Sequence, residues 1–506
     1  MTPFADLVTA TEPLNSPAQT AEQTAIAWAP TELFIAGEWR EARDGRRLPV
    51  EDPATGQVLC EVADASAPDC EDALAAAAAA GPGWAACAPR ERSRVLRRAA
   101  ERLRDDAERL ALVLTLEMGK PLSESRDEVA FAAEYLEWYA EEAVRAGGRQ
   151  AEAPEGGSRH LVLRVAVGPC LVITPWNFPL AVPARGVGAA LAAGCAVVLR
   201  PSSLTPLSAL CLARVLCAAG LPPGVLNVVV SSTDEATDAL IRDPRLRKLT
   251  FTGSEAVGRT LLRLAAEAAL PASVELGGCA PFIVFADADL DEAVEGAARA
   301  KMRNGGAACT AANRFYVERP VYGEFTRRLA KRLARYRLGR GTRAGASLGP
   351  MISGRHRARL SELVDDATAR GARVELAGGP LPGAGHFFRP VVLADVPEEA
   401  RVMQEEAFGP VAPVRPFDTE DEALALANDR PQGLAAYLYT RDLERALRLC
   451  GRIEAGMVAV NRPRVSSAAA PFCGVKGSGF GASGGPEGLD EYLTTRCLTL
   501  PDGLAG

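Results

Sequence analysis

Apolar residues recur at close to 3.6-residue spacing between Ala65 and Gly148. From Arg90 to Leu116, Val95, Leu96, Leu103, Leu110 and Leu114 share one side, with arginine and glutamate between them. That period predicts amphipathic helix. Ahead of it, Leu33–Trp39 reads as a short β stretch. Residues 1–30, rich in Thr, Ala, Pro and Gln without clear periodicity, read as a loose N-terminal extension. His160–Val167 alternates as a strand and is broken by Gly168-Pro169. The rhythm then changes. Leu171–Ile173, Ala196–Leu199, Val225–Val230 and Lys248–Phe251 are short apolar runs separated by helical stretches such as Pro206–Ala219 and Ala236–Ile241. A second series follows Pro281, with Phe282–Phe285, Phe315–Val317, Val391–Leu393, Ala436–Tyr439 and Met457–Val460. Short buried strands alternating with helices predict two α/β units built on parallel sheets.

The length of 506 residues is roughly three domains' worth of chain and needs no covalent staples. A hydrophobic fraction of 48% excludes general disorder. With 57 basic against 64 acidic residues the net charge is −7, which argues against bulk binding of nucleic acid. The longest apolar run, Val187–Leu199, is too short to span a membrane, and Gly188 and Gly194 interrupt it. No basic-then-apolar signal segment opens the chain, so a cytoplasmic location with reduced thiols is expected. Three scattered histidines, His160, His356 and His386, make a histidine metal site unexpected. None of the twelve cysteines forms a C-x-x-C pair, so most are expected to be small core residues. Only five of the 57 basic residues are lysine, so any single arginine is weak evidence for an anion site.

Two segments suit a nucleotide on residue type alone. Phe251–Arg259 is a strand end, a turn with Gly253 and Gly258, and a helix start that Ser254 can cap. Free N–H groups there suit a pyrophosphate, although the same pattern also fits an ordinary strand–turn–helix. Arg200-Pro-Ser-Ser203 follows another strand, where a cation with Ser202 and Ser203 can meet a ribose or its 2′-phosphate. No acid stands in that stretch to hold ribose hydroxyls, which leans toward NADP over NAD.

Three segments carry the chemistry: Ile173-Thr-Pro-Trp-Asn-Phe-Pro179, Ser273-Val-Glu-Leu-Gly-Gly278 and Lys301–Arg314 around Cys309. With Glu405–Val411 and Pro471–Gly481, in this order and spacing, they resemble the aldehyde dehydrogenase superfamily from about residue 31 to 500. The resemblance implies that fold, with a Rossmann-like NAD(P) domain (31–150 and 169–280), a catalytic α/β domain (281–462) and a small β oligomerisation element (151–168 and 487–506). It makes Cys309 the nucleophile, Asn177 an oxyanion donor together with the Cys309 N–H, and Glu275 the base for hydrolysis of the thioester. Thr174, Trp176, Arg200, Ser202, Ser203, Gly253, Ser254, Gly258, Leu276, Gly277, Glu406 and Phe408 become the cofactor-binding set. Residue type agrees for Cys309. It follows Asn304-Gly-Gly at what reads as a helix start, which would favour thiolate. Ala307-Ala308, Arg200 and Cys473 depart from the family pattern without removing a catalytic group, and Cys279 and Cys473 are candidate oxidation partners of Cys309.

The succinate-semialdehyde dehydrogenase branch is the nearest resemblance. It implies that Arg185 and Arg303, with Ser466 and Ser467, hold a distal carboxylate, a task that suits a guanidinium. Arg462 and Arg464 stand where the branch keeps small or apolar residues, which points to a longer or more acidic substrate. An aromatic or longer aliphatic aldehyde is the alternative, and a non-catalytic homologue is the reading of another class. A homodimer or homotetramer is implied, with no metal, membrane or nucleic-acid partner.

Overall fold

The computed structural model describes residues 17–502. Five parallel strands form the centre of the first sheet, in the order Leu226–Val228, Val197–Arg200, Cys170–Ile173, Lys248–Thr252 and Ala272–Glu275. The first strand in sequence is central and later strands are added on both sides. Chain direction therefore diverges between Cys170–Ile173 and Lys248–Thr252, and such a switch point opens a crevice at the carboxyl ends of the strands. The strands are almost wholly buried, as the unbroken apolar runs require. At one edge the hairpin Leu33–Ile35/Glu38–Arg40 pairs antiparallel with Leu226–Val228. At the other, Gly479–Phe480 pairs antiparallel with Ala272–Glu275, setting Glu275 opposite Gly479.

The helical region divides into four helices, Ala67–Ala86, Pro89–Asp105, Ala107–Met118 and Leu122–Glu142. The apolar period continues through Asp106, but the backbone does not, and one expected helix becomes two. Leu122–Glu142 packs against Ala181–Ala193, the helix that follows the central strand. Gly188 permits this close approach, because a Cβ there would lie 3.1 Å from Leu136 Cδ2 and 3.2 Å from Tyr139 Cδ2. The hairpin Arg47–Asp52/Gln57–Ala63 was not apparent from the sequence pattern.

The second sheet has seven strands in the order Arg373–Leu376, Val391–Ala394, Val411–Phe417, Ala312–Glu318, Ala280–Val284, Ala435–Tyr439 and Met457–Val460. All neighbours are parallel except Arg373–Leu376. The expected series is present. The addition of Val411–Phe417 near the middle was hidden by Pro413 and Pro416. A separate three-stranded antiparallel sheet joins Arg149–Glu152, Ser158–Ala166 and Leu493–Pro501.

The expectation of a loose N-terminal extension needs correction. Pro17–Trp28 is a helix, and residues 1–16 lie outside those described. Ala25 is buried, Glu22 pairs with Arg340 at 2.8 Å, and the guanidinium carbons of Arg109 and Arg214 lie 5.0 and 5.1 Å from the Trp28 ring centroid. These tertiary contacts hold a segment whose own periodicity is weak. Among the described residues, no helix is long and apolar enough to cross a membrane, and no cluster of His, Cys, Asp or Glu could hold a metal ion.

Candidate active site

A cavity of about 350 Å³ lies at the switch point and runs between the two sheets. The segments Pro175–Phe178 and Thr252–Ser254, each at the carboxyl end of a first-sheet strand, reach it. So do Glu275, Gly277, Arg303, Cys309, Glu406, Phe408 and Ser466. Residues more than 300 apart in sequence thus converge on one space.

Asn177 is fixed from several directions. Its carbonyl accepts from Lys120 Nζ at 2.8 Å and from Asn304 Nδ2 at 2.7 Å. Its own Nδ2 donates to the Ala307 carbonyl at 3.0 Å, leaving one amide hydrogen free, and its Oδ1 is buried without a partner. Lys120 is in turn held by Glu128 at 2.5 Å, and the other Glu128 oxygen accepts from the N–H groups of Leu180 and Ala181 where the next helix begins. One buried ion pair thereby fixes both the amide and the helix start behind it.

Cys309 corrects the expectation of a helix start. Arg303–Gly306 is a single 3₁₀ turn in which Asn304 and Gly305 have φ of 55° and 62°. Gly306 follows at φ 83°, where a Cβ would lie 2.4 Å from the Gly409 carbonyl oxygen. Such left-handed residues end a helix rather than begin one. Cys309 sits in the turn leading into the strand Ala312–Glu318, without a helix N-terminus beneath it. Its thiol is held well above the ordinary value, first by burial and then by the Glu275 carboxylate, while Arg185 acts in the opposite direction. Burial and the neighbouring carboxylate thus disfavour the thiolate form, and the guanidinium of Arg185 favours it.

Glu275 ends the first-sheet strand Ala272–Glu275. Its Oε2 accepts from Arg185 Nη2 at 3.3 Å, and its Oε1 is buried without a partner. Arg185, 5% exposed on the helix Ala181–Ala193, also lies over the Phe472 ring at 4.4 Å. The Arg303 guanidinium lies over Phe178 at 4.8 Å and, among the described residues, pairs with no carboxylate within 4 Å.

The cofactor set is only partly brought together. Trp176, Gly253, Ser254, Gly277, Glu406 and Phe408 line the cavity. Thr174 lines an adjoining cleft with an unpartnered buried hydroxyl, and Glu406 Oε1 is likewise unpartnered. The helix Glu255–Glu267 receives no side-chain bond from Ser254, so its first N–H groups remain open. These orphaned groups fit a dinucleotide with its phosphates at that helix start. Burial, and then Glu275, raises the Glu406 carboxyl to about 8. Gly258 and Leu276 act from behind, since a Cβ on Gly258 would lie 2.2 Å from Leu276 Cδ2. Arg200 is turned away, donating to the Ser231 and Thr233 carbonyls at 3.1 and 3.2 Å. Ser202 accepts from Leu204 N at 3.2 Å, and Ser203 is partly exposed.

Ser466 lines the cavity, whereas Ser467 is exposed and its hydroxyl accepts from Ala469 N at 3.3 Å. Sequence reasoning missed Phe131, Tyr135, His356 and Arg359, which complete the wall. His356, given no task from sequence, stands edge-on to Trp176 at 5.8 Å, and its Nε2 is 2.8 Å from the Phe408 carbonyl. No local motif marks these residues. All twelve cysteines are free, and the sulfurs of Cys279 and Cys473 face the carbonyls of Gln404 and Gly456 at 3.8 Å.

A thiol able to attack a carbonyl, beside a cleft shaped for a dinucleotide, is the arrangement of a nicotinamide-linked oxidoreductase working through a covalent sulfur adduct. The chain matches the family model described as "Aldehyde dehydrogenase family" over residues 39–498, and it belongs to that family. A succinate-semialdehyde dehydrogenase of Paenarthrobacter nicotinovorans is 51% identical over 446 residues, covering 88% of this chain and 99% of that protein. A glutarate-semialdehyde dehydrogenase of Pseudomonas putida is 44% identical over 469 residues, covering 93% and 97%. The crystal structure of an Escherichia coli NADP-dependent enzyme superposes with a TM-score of 0.92 at 42% identity, covering 94% of this chain and 98% of that one. The chain is an NAD(P)+-dependent aldehyde dehydrogenase of the succinate-semialdehyde dehydrogenase branch, and it oxidises its aldehyde through a catalytic cysteine.

Proposed function

We propose that the enzyme oxidises succinate semialdehyde, or a near relative bearing a distal carboxylate, to the corresponding diacid. The supporting observation is the placement of Arg185 and Arg303 on the same cavity as Cys309, Glu275 and Asn177. The Cys309 thiol gives up its proton to water in the cavity, and its sulfur bonds to the aldehyde carbon. The carbonyl oxygen, now an alkoxide, is met by the free Asn177 amide hydrogen and the Cys309 N–H; loss of one such donor typically costs about 10²–10³ in rate. A bound nicotinamide supplies the acceptor for the hydride that leaves this carbon. Glu275 then takes a proton from water as the water oxygen bonds to the thioester carbon, and the sulfur departs as the acid forms.

Arg185 links substrate binding to this base. Its guanidinium holds Glu275, so an arriving carboxylate competes for it and loosens the pair. Ser203 and the absence of an acid in Arg200–Ser203 support acceptance of NADP as well as NAD. The free thiols support a reducing, cytoplasmic setting. We also infer a homodimer or homotetramer.

A panel of aldehydes with both cofactors, followed by nicotinamide absorbance, tests the reading. Cys309→Ala is expected to abolish turnover, while Cys217→Ala and Cys497→Ala retain it. Arg185→Ala is expected to raise KM for succinate semialdehyde roughly tenfold or more, as for a lost charged hydrogen bond. An unchanged KM would reject the carboxylate clamp and favour an aromatic or longer aliphatic aldehyde.

A further inference from the structure

His356 stands in the first turn of the helix Gly354–Ala369, and Ser353 Oγ caps that turn by accepting from His356 N at 3.2 Å. A capped first turn is a firm base for a side chain. The imidazole reaches from it to the segment after Glu406. Its Nε2 lies 2.8 Å from the Phe408 carbonyl oxygen, and a carbonyl can only accept, so the ring hydrogen of this bond stands on Nε2. Among the described residues, no other hydrogen bond reaches that carbonyl. Phe408 is itself held in an unusual state. Its φ of 52° is left-handed, a region that a bulky side chain rarely adopts. Such a residue persists only where its surroundings hold it there.

Those surroundings connect two parts of the site. Trp176 stands edge-on to the Phe408 ring at 5.3 Å, the His356 and Phe408 rings are 6.3 Å apart, and all three line the cavity. The next residue is pinned from the same helix, since a Cβ on Gly409 would lie 2.5 Å from Leu360 Cδ1, one turn beyond His356. The Gly409 carbonyl in turn closes against Gly306, three residues before Cys309. The Phe408–Gly409 peptide is therefore wedged between the helix that carries His356 and the turn that carries Cys309. The strain of a left-handed bulky residue is of the same order as one buried hydrogen bond. Without the bond from His356, Phe408 is free to return to an ordinary backbone conformation. That rotation would move its ring within the cavity and withdraw the Gly409 carbonyl from Gly306.

We propose that His356 is a positioning residue for hydride transfer. By holding the Phe408–Gly409 peptide in its left-handed turn, it sets both the ring that meets the nicotinamide and the support of the Cys309 turn. This rests on the reading of Phe408 as a cofactor residue. Hydride transfer needs the sulfur-bound carbon and the nicotinamide at a short, fixed separation, and one peptide shared by both sides aligns them.

The test compares the full-length wild type with His356→Gln, whose amide can reach the same carbonyl, and with His356→Leu and His356→Asn, which cannot. Three quantities are read. They are the single-turnover rate of nicotinamide reduction, the affinities for NADPH and NADH beside those for 2′,5′-ADP and ADP, and the alkylation of Cys309 by iodoacetamide in the cofactor-free enzyme, followed by peptide mass. In His356→Leu and His356→Asn the single-turnover rate is expected to fall about tenfold, and the reduced dinucleotides to bind roughly three- to tenfold more weakly, as for one lost buried hydrogen bond. The two ADP ligands, which lack the nicotinamide, should bind as before, and Cys309 should alkylate several-fold faster as its turn loosens. His356→Gln should recover most of each effect. An unchanged single-turnover rate or unchanged alkylation in His356→Leu would overturn the proposal. Equal weakening of all four ligands would do so too, as would a His356→Gln as impaired as His356→Leu. Should His356→Leu fail to fold, His356→Asn is read in its place with the same outcomes. If Phe408→Ala leaves dinucleotide binding unchanged, the cofactor reading of Phe408 fails as well. If Phe408→Ala weakens that binding while His356→Leu does not, only the role of His356 is lost.

Discussion

The Cys309 thiol is balanced between two neighbours that are paired to each other. Burial raises its proton affinity, Glu275 raises it further, and Arg185 lowers it. The ligand-free enzyme is therefore expected to react slowly with iodoacetamide at neutral pH and faster as pH rises. Glu275→Gln should accelerate alkylation at pH 7, whereas Arg185→Gln should slow it and move the profile to higher pH. Slower alkylation of Glu275→Gln would show that Glu275 removes the thiol proton instead of repelling the thiolate. The nucleophile itself was legible from its segment, but its surroundings were not. Ala307-Ala308-Cys309-Thr-Ala-Ala has the composition of a helix. The left-handed run Asn304–Gly306 sends it into a strand, and the Gly409 carbonyl, about a hundred residues away, adds to the positive φ in requiring that Gly306 lack a Cβ.

At the scale of elements, two buried glutamates serve helix starts. Glu128 meets the N–H groups of Leu180 and Ala181, and Glu117 meets those of Leu207 and Ser208 at 2.8 and 2.9 Å. Glu128 has Lys120 beside it, whereas burial raises Glu117 to about 7 against the bonds from Ser208 and Leu207. Its folded-state value exceeds the unfolded one, so the folded protein binds the extra proton. This contribution is present below about pH 4.5 and is lost as pH rises toward 7. Relative to Glu117→Gln, the wild type should lose Tm progressively between pH 5 and 7, measured by thermal denaturation at matched ionic strength. A constant difference would show that Glu117 stays ionised. The short apolar strands could be read because their burial leaves continuous runs. The break at Asp106, the hairpin Arg47–Ala63 and the Pro-containing strand Val411–Phe417 could not, because tertiary packing overrides local pattern there.

For the whole molecule, the site is a seam. Its apolar wall comes from Phe131 and Tyr135 on a helix with no catalytic motif, and its polar groups come from both sheets. This explains why motif residues were legible while His356, Arg359 and the aromatic lining were not. The three-stranded sheet stands apart from both units, with Leu163 and Leu498 exposed at 37% and 39% and Leu493–Pro501 at its edge. An open edge of this kind invites pairing with a second chain. Thr495→Pro is expected to reduce the solution mass measured by light scattering, while the far-ultraviolet spectrum stays near wild type. A wild type already monomeric at micromolar concentration would reject the assembly.

The pairing of Gly479–Phe480 with Ala272–Glu275 also has a consequence for the order in which the protein is made. The strand that ends in the base is flanked on one side by a neighbour synthesised about two hundred residues later, and Ser478 ties down the backbone on either side of the link. Leu276 N donates to its carbonyl, and its hydroxyl donates to the Gly277 carbonyl. During translation from the N-terminus the cofactor sheet can assemble early, but its catalytic edge stays open until the last tenth of the chain emerges. Nascent chains halted after residue 470 should show a protease-resistant first sheet with Ala272–Gly278 still cleavable, and those released at full length should not. The enzyme therefore cannot become active piecemeal on the ribosome, because the C-terminal segment is what closes the edge that carries Glu275.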